Sequence, residues 1–487
     1  MKKLNLKMLA VMLAALMFTF SFVACSSDDD PTPQSPKVSS PDNQEVALGT
    51  ALDVSFAYTA EGGFKSSSVL ADNGSAIIKT DGTIGASTGE IVVTFTPSAN
   101  GAASVKVIVT DNNDQTDDAT AVLNVVEEVV ELTIYVDANI SEDITWESGK
   151  TYVLQSRIAV VSGVTLTIKP GVVIKGEAGS GANATALLIA RGGKIMAEGT
   201  AAAPIIFTSV ADEIEPGQIE SPNLDPDLNG LWGGLIVLGN APISADAESV
   251  QIEGIPPSDQ NGLYGGTLAN DNSGVIKFVS IRHGGANIGE GNEINGLTLG
   301  GVGSGTIIEN IEIVANQDDG IEWFGGTVNV KNAIVWNTGD DAIDTDQSWG
   351  GTLDNFIVVN PGDECFELDG PEGDMFAKHT IKNGTAYAGN AQGLVDLDDN
   401  SNVDMMNIYF FGLGDDQDFD QIPTVYPCSF SAFEATLPAD KVLTDYFKDG
   451  SDAFVTVVAQ GSSTVGADAS VFNGWSWAAV SGNLSGF

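Results

Sequence analysis

Basic residues are scarce in this chain. Lys and Arg together number 20 against 66 Asp and Glu, the arginines are Arg157, Arg191 and Arg282, and the histidines are His283 and His379. The formal charge of −46 excludes nucleic acid as a partner, because affinity there comes from cations that neutralise phosphates. It also opposes anionic polysaccharides unless a divalent cation intervenes, and it favours solubility in any case. Three cysteines (Cys25, Cys365, Cys428) beside two histidines leave no Cys/His zinc pattern. An oxidising location would allow a Cys365–Cys428 disulfide, which spacing alone neither requires nor forbids. No long apolar periodic helix is visible. With 56 glycines and 18% charged residues, the chain reads as many short strands and turns.

What is present begins at the N-terminus. "MKK" and Lys7 make a basic start, and Met8–Phe22 is an apolar run too short to span a bilayer comfortably. It ends in "FVAC", with small residues directly before Cys25. This resembles the signal peptide and lipobox of bacterial lipoproteins, in which the cysteine becomes the acylated N-terminus; Phe22 departs from the branched aliphatic residue usual at its place. Two or more acyl chains, at about 0.8 kcal/mol per buried methylene, anchor a protein stably to a membrane. The "SSDDD" that follows (Ser26–Asp30) resembles the surface-export signal of lipoproteins in glycan-degrading Gram-negative bacteria, and is otherwise a solvated tether. The resemblance implies an outer-membrane lipoprotein exposed on the cell surface, with Cys25 as the lipid attachment site.

Pro31–Asp42 is rich in Pro and Ser and reads as an extended spacer. Alternating strands follow at 52–58, 91–97, 104–111 and 119–126, separated by turn clusters such as "SANG" and "DNNDQTDD". The pattern implies a small antiparallel sandwich, similar to the immunoglobulin-like or cadherin-like modules of bacterial surface proteins. After about residue 130 the texture changes to short apolar strands punctuated by Gly and Pro. "VANQDDGIEWF" (314–324), "VWNTGDDAIDTD" (335–346) and "VVNPGDECFELD" (358–369) align, with Asn316, Asn337 and Asn360 recurring and with Asp319, Asp341 and Glu364 recurring. A fourth rung is "NAQGLVDLDD" (390–399). A period of this length means stacked coils. The pattern resembles the right-handed parallel β-helix of pectate-lyase-like proteins. More closely, "YVLQSRIAVVSGVTLTIKPGVVIKG", "LWGGLIVLGNAPIS" and "IRHGGANIGEGNEINGLTLGGVGSGT" look like an uncharacterised family of exported β-helix lipoproteins. The expected fold is all-β: a signal peptide over 1–24, an acidic Pro/Ser tether over 25–42, a sandwich over 43–127, and a parallel β-helix with a C-terminal cap over 130–487.

Strand alternation then places the charge. If Ile321, Ile343, Phe366 and Val395 point into the coil, as do Trp323, Thr345, Leu368 and Leu397, the outward pairs are Glu322/Phe324, Asp344/Asp346, Glu367/Asp369 and Asp396/Asp398. Thr298 and Gly300 occupy the same two columns one coil earlier. Stacked strands are about 4.8 Å apart, and carboxylates about 5 Å apart repel by roughly 3 kcal/mol at an effective dielectric near 20. A solvated face tolerates this, whereas a covered face needs protons or cations. Ca²⁺ accepts many oxygen ligands in flexible geometry, so Glu322, Asp344, Asp346, Glu367, Asp369, Asp396 and Asp398 are the candidate metal ligands.

Function divides three ways. Glycosidases need two carboxyls at spacings this grid contains, and "NQDDG" followed by "GDD" faintly resembles polygalacturonase motifs, carried here by Asp319 and Asp341. Where that family has Gly-His-Gly this chain has "GDE", and its Arg-Ile-Lys is missing. A lyase needs a base beside a cation; Arg282 and His283, near Glu290 and Glu293, offer the chain's Arg-His pair, or else an Arg–Glu pair closing a turn. A binding module would use rings and carboxylates together, with Phe324 and Trp349 as candidate ligand contacts. Trp323 and Trp336 suit core as well, while Trp475 and Trp477 pack the core or cap the stack. Long insertions at 210–230 and 241–273 are where recognition tends to reside. Binding of an extracellular glycan, with Ca²⁺, is the leading expectation. Polysaccharide lyase or hydrolase activity is the alternative, and an adhesive or structural role facing an outer-membrane protein partner is the third.

Overall fold

A computed structural model describes residues 33–127, 132–287 and 294–487. The expected signal peptide, Cys25 and the acidic run at 26–30 lie outside the described residues, as do Glu290 and Glu293. The chain separates into two compact units, 1–130 and 131–487.

In the first unit, two four-stranded sheets share one core. One contains Leu52–Thr59 and Thr88–Pro97, the other Gly101–Asp111 and Thr116–Val126. Alternation decides which residues go inside: Val54, Phe56, Ile91, Val93 and Phe95 meet Val105, Val107, Val109 and Leu123. Pairing is antiparallel except where Gln44–Ala47 runs parallel to Thr116–Val126. The sequence reading missed four strands, Lys37–Ser39, Gln44–Ala47, Phe64–Asp72 and Gly74–Thr80, the first of which lies within the stretch read as a spacer and pairs with Leu52–Thr59. In the last two of these strands Leu70 and Ile77 are exposed beside Val69 and Ile78, which pack on the core, so adjacent apolar residues obscure the alternation.

The second unit is a right-handed parallel β-helix. One long parallel sheet extends from Thr133–Val136 to Val455–Val457, and a second of eight strands extends from Arg157–Val160 to Asp396–Leu397. The interior is a stack of aliphatic and aromatic columns. Ile311, Ala333, Phe356, Gly384, Ile408 and Phe433 follow one another from coil to coil. A Cβ at Gly384 would fall about 2.0 Å from the Phe356 ring, so glycine there makes room for the ring below. Trp349 belongs to this interior: it stacks on Trp323 at 4.6 Å and on His379 at 5.2 Å, and its Nε1 donates to the Val328 carbonyl at 2.9 Å.

Five successive strands of the long sheet, from Ile307–Val314 to Val403–Phe411, each bend once at an asparagine, and the strands before and after them bend at Phe278 and Ala432. Asn310, Asn332, Asn355, Asn383 and Asn407 all have φ near +60°, a region that asparagine tolerates better than most residues. Asn332 donates its amide to Asn310 at 2.9 Å, Asn355 to Asn332 at 2.9 Å, and Asn407 to Asn383 at 3.0 Å. The sequence reading passed over this column. The turn column it did identify is shifted: Asn337 and Asn360 align with Ala315, not Asn316, because Val314 pairs with Trp336 and Trp336 with Val359. Asn360 donates to Asn337 at 3.0 Å, while Asn316 closes its own turn on the carbonyls of Asp319 (2.8 Å) and Ile294 (3.1 Å).

The C-terminal segment is a strap along the side of the stack rather than a lid over its end. Trp475, Trp477 and Ala478 pack on Val314, Ile334, Trp336, Ile357 and Val359, the outward residues of the long sheet. Cys365 and Cys428 are both free thiols.

Candidate functional site

The eight-stranded sheet carries one outward column whose character changes along its length. Register links Ala159, Leu188, Ile236, Thr298, Glu322, Asp344, Glu367 and Asp396. The first three are apolar and covered. The insertion at 241–273 lays Ile243, Ile252, Ile255 and Tyr264 over Leu188, Ile236 and Leu238. Two of the three arginines pin that cover: Arg157 pairs with Asp259 at 3.1 Å, and Arg191 donates to the Gly265 carbonyl at 2.7 Å. The same insertion reaches the acidic half, where the Tyr264 hydroxyl donates to Gln347 at 2.9 Å and Gln347 to Glu372 at 3.0 Å.

The carboxyls therefore do not share one environment. Glu322 and Asp344 are 5% and 7% exposed, Asp346, Glu367 and Asp369 are half-buried, and Asp396 and Asp398 are exposed. Phe324 points out of the coil as expected, but it lies under the insertion at 5% exposure, with its ring 6.1 Å from that of Tyr264. Trp349 is fully buried inside the stack. Neither ring presents a face to a ligand, and both assignments are corrected: the insertion covers one, and coil packing claims the other.

Asp319 and Asp341, at the turn before the column, are also buried. Each accepts a backbone N–H from the following coil: Asp341 N donates to Asp319 Oδ1 at 3.0 Å, and Glu364 N to Asp341 Oδ1 at 2.6 Å. Asp319, Glu322 and Asp344 offer carboxylate oxygens all within 4.8 Å of one another, and Asp318, Asp319 and Asp340 form a second such group. Burial, and then neighbouring acids, holds Asp319, Glu322 and Asp344 well above the usual carboxylate range. Burial followed by a hydrogen bond with Glu367 pushes Asp341 up to about 11, and two carboxyls can hydrogen-bond only through a shared proton. Burial and then Asp369 raise Asp346 to about 8, while burial and then Asp398 raise Asp369 to about 7. The charges that dominate each shift are all carboxylates. The site also contains a residue the sequence reading missed. Asn295, 3% exposed, donates its amide to Glu322, and its Oδ1 has no partner. Asn295 lies outside the repeat, so periodicity could not have flagged it.

The model of the pectate-lyase-like β-helix domain matches residues 138–410. The chain belongs to that family. None of the curated proteins matches it. Among solved structures, pectate lyase Pel3 from Pectobacterium carotovorum is 9% identical with a TM-score of 0.20, covering 87% of this chain and 100% of that one. The family 28 exopolygalacturonase of Yersinia enterocolitica is 10% identical with a TM-score of 0.16, covering 87% and 90%. Domains 4 and 5 of the S-layer protein SbsC are 20% identical with a TM-score of 0.16, covering 20% of this chain; the match spans 54% of that fragment, about half its length.

Within this pectate-lyase-like β-helix, the Arg-His pair is not part of the acidic face. Arg282 ends a strand of the long sheet, and both side chains are fully buried. The Arg282 Nε donates to Ser280 at 2.7 Å, its guanidinium lies 3.6 Å from Glu312, and Trp477 of the strap sits over it at 4.9 Å. Its acidic partner is thus Glu312 of the next coil. His283 takes φ +58° at the turn position that Ala315, Asn337 and Asn360 occupy in later coils, and its Nδ1 lies 2.5 Å from the Leu228 carbonyl. Burial holds its ring below the ordinary histidine range. A base must reach substrate, and the burial of this pair removes the expected lyase assignment.

Proposed function

We propose that this protein is a cell-surface lipoprotein whose β-helix binds an extracellular glycan on the acidic sheet, with Ca²⁺ at the base of that surface. One observation carries the reading: three carboxyls, Asp319, Glu322 and Asp344, converge under cover with no cation among the groups that set their charge. Buried like charges persist only as protonated acids or with a counter-ion. The donor set is all oxygen, which suits a hard cation, and the unpaired Asn295 Oδ1 beside Glu322 fits a fourth donor. Ca²⁺ held there would offset most of the charge of the three buried carboxylates and leave the carboxyl oxygens of Asp346, Glu367 and Asp369 as acceptors for hydroxyl groups. Its anchor would be Cys25, and its setting the outer face of the outer membrane.

A glycan array on the soluble chain, with and without Ca²⁺, tests the reading. The expected outcome is binding without product, weakened by chelator. Replacing Asp344 and Asp346 together by Asn is expected to weaken Ca²⁺ uptake and glycan binding by about tenfold or more, with the fold retained. Unaltered binding would move the site elsewhere.

A hydrolase reading draws on Asp341, whose carboxyl burial pushes up to about 11 beside a second carboxyl, Glu367, since glycosidases work with two carboxyls of which one is kept protonated. Asp341 is buried and engaged by a backbone N–H, so binding remains the better-supported function. New reducing ends on the same array would reverse that order.

A further inference from the structure

The two rings expected to face a ligand are buried, yet the acidic column does end beside an aromatic surface. Phe376 is 61% exposed and stacks on Tyr426, with ring centroids 5.3 Å apart and planes 10° from parallel. They come from two different inter-coil loops, at 369–378 and 421–428, and a third loop ties these together. Asn400 Nδ2 donates to the Pro371 carbonyl at 3.2 Å, and the N–H groups of Thr424 and Val425 donate to the Asp399 carbonyl at 3.2 and 3.0 Å. Val425 (59%) and Ile422 (37%) extend the apolar area. The Phe376 loop and the linking loop begin at the end of the acidic columns, at Asp369 and Asp398. The platform is therefore fixed by these inter-loop hydrogen bonds, with Phe376 mostly exposed and Tyr426 half-buried beneath it.

The geometry points to a sugar-stacking platform at Phe376 and Tyr426 that takes a neutral polysaccharide. This inference rests on the glycan-binding reading above and names its ligand class and contact residues. Charge selects the class. Asp369, Glu372, Asp374, Asp398 and Asp399 belong to the loop that carries Phe376 and to the loop that ties it to Tyr426, and Lys378 is already occupied by Asp404 at 2.8 Å and the Pro427 carbonyl at 2.5 Å. Ionised carboxylates accept hydrogen bonds from hydroxyl groups and repel uronates. Size selects against a protein. Aromatic side chains bury about 150–250 Å² each, well short of the roughly 800 Å² per partner of a stable protein interface, but comparable with the apolar face of one or two sugar rings.

Affinity electrophoresis of the purified full chain, through gels containing mixed-linkage β-glucan, xyloglucan, galactomannan or polygalacturonate, tests the platform. Retardation is expected in at least one neutral polymer and not in polygalacturonate. The double variant Phe376→Ala/Tyr426→Ala is expected to lose about tenfold in affinity, as for the loss of stacked ring contacts. Phe376→Tyr should keep binding and melt as the parent does, since Phe376 is mostly exposed, and Phe376→Ala alone should lose affinity at an unchanged melting temperature. Retardation that survives the double variant, or that polygalacturonate alone produces, overturns the platform while leaving a glycan site elsewhere. No retardation in any gel, together with a silent glycan array, overturns the glycan reading altogether and leaves a protein partner as the occupant.

Discussion

Asp344 has Glu322 on one side of it and Glu367 on the other, coil below and coil above. Asp344 and Glu322 each cost more to ionise in the fold than in the unfolded chain, and this fixes how stability varies with pH. A folded value above the unfolded one means that the native state holds more protons between the two, so stability falls as pH rises through that interval. For Asp369 and Asp346 the interval runs from the ordinary 3.8 to about 7 and about 8. In chelator, the melting temperature should therefore decline steadily from pH 5 to pH 8. Added Ca²⁺, which favours the ionised forms, should flatten or reverse the decline. Melting scans across that range with and without chelator decide the matter, and a chelator curve that rises with pH would contradict it. Asp344→Asn should also make the melting temperature in chelator less sensitive to pH, because the amide replaces a buried carboxyl that holds its proton more tightly in the fold than in the unfolded chain.

Among the elements, the asparagine column of the long sheet does the structural work that the acidic column does not. Asn332 both donates to Asn310 and accepts from Asn355, at φ +58°. Asn332→Ala loses both bonds and places a Cβ-bearing residue without a local hydrogen bond in left-handed backbone. A loss of about 2–3 kcal/mol is expected in denaturant unfolding. Asn332→Gly keeps the backbone easy and should cost roughly half as much. The acidic strands were legible in the sequence because an in/out alternation with period two survives any lateral packing: Ile321, Trp323, Ile343 and Thr345 are all buried inside, as expected. The bend asparagines were not singled out, because each stands alone before an apolar run and its meaning comes from the coil above. Phe324 was misjudged for a related reason. Alternation says which side of a strand a residue occupies, but not whether an insertion about 70 residues away in sequence lies over that side.

For the molecule as a whole, two proposals from the N-terminus remain to be measured. Cys25→Ser is expected to release the protein from the membrane fraction, and the parent protein on intact cells should be digested by added protease. Retention of the serine variant in the membrane would remove the lipid anchor. The scarcity of cations has a structural counterpart. All three arginines are committed within the fold, two holding the 241–273 insertion and one buried against Glu312, so none serves the acidic face.

The sequence alone determined the stacked-coil architecture, the inward and outward sides of its strands, and the concentration of acid on one sheet, because these follow from repeat length and alternation along the chain. Only the tertiary structure decided which carboxyls are covered, that Phe324 and Trp349 are hidden while Phe376 and Tyr426 are presented, and that Arg282 and His283 lie beneath the C-terminal strap. Those outcomes depend on where insertions and the C-terminal segment come to rest, and contacts between residues so distant in sequence leave no periodic trace within either segment.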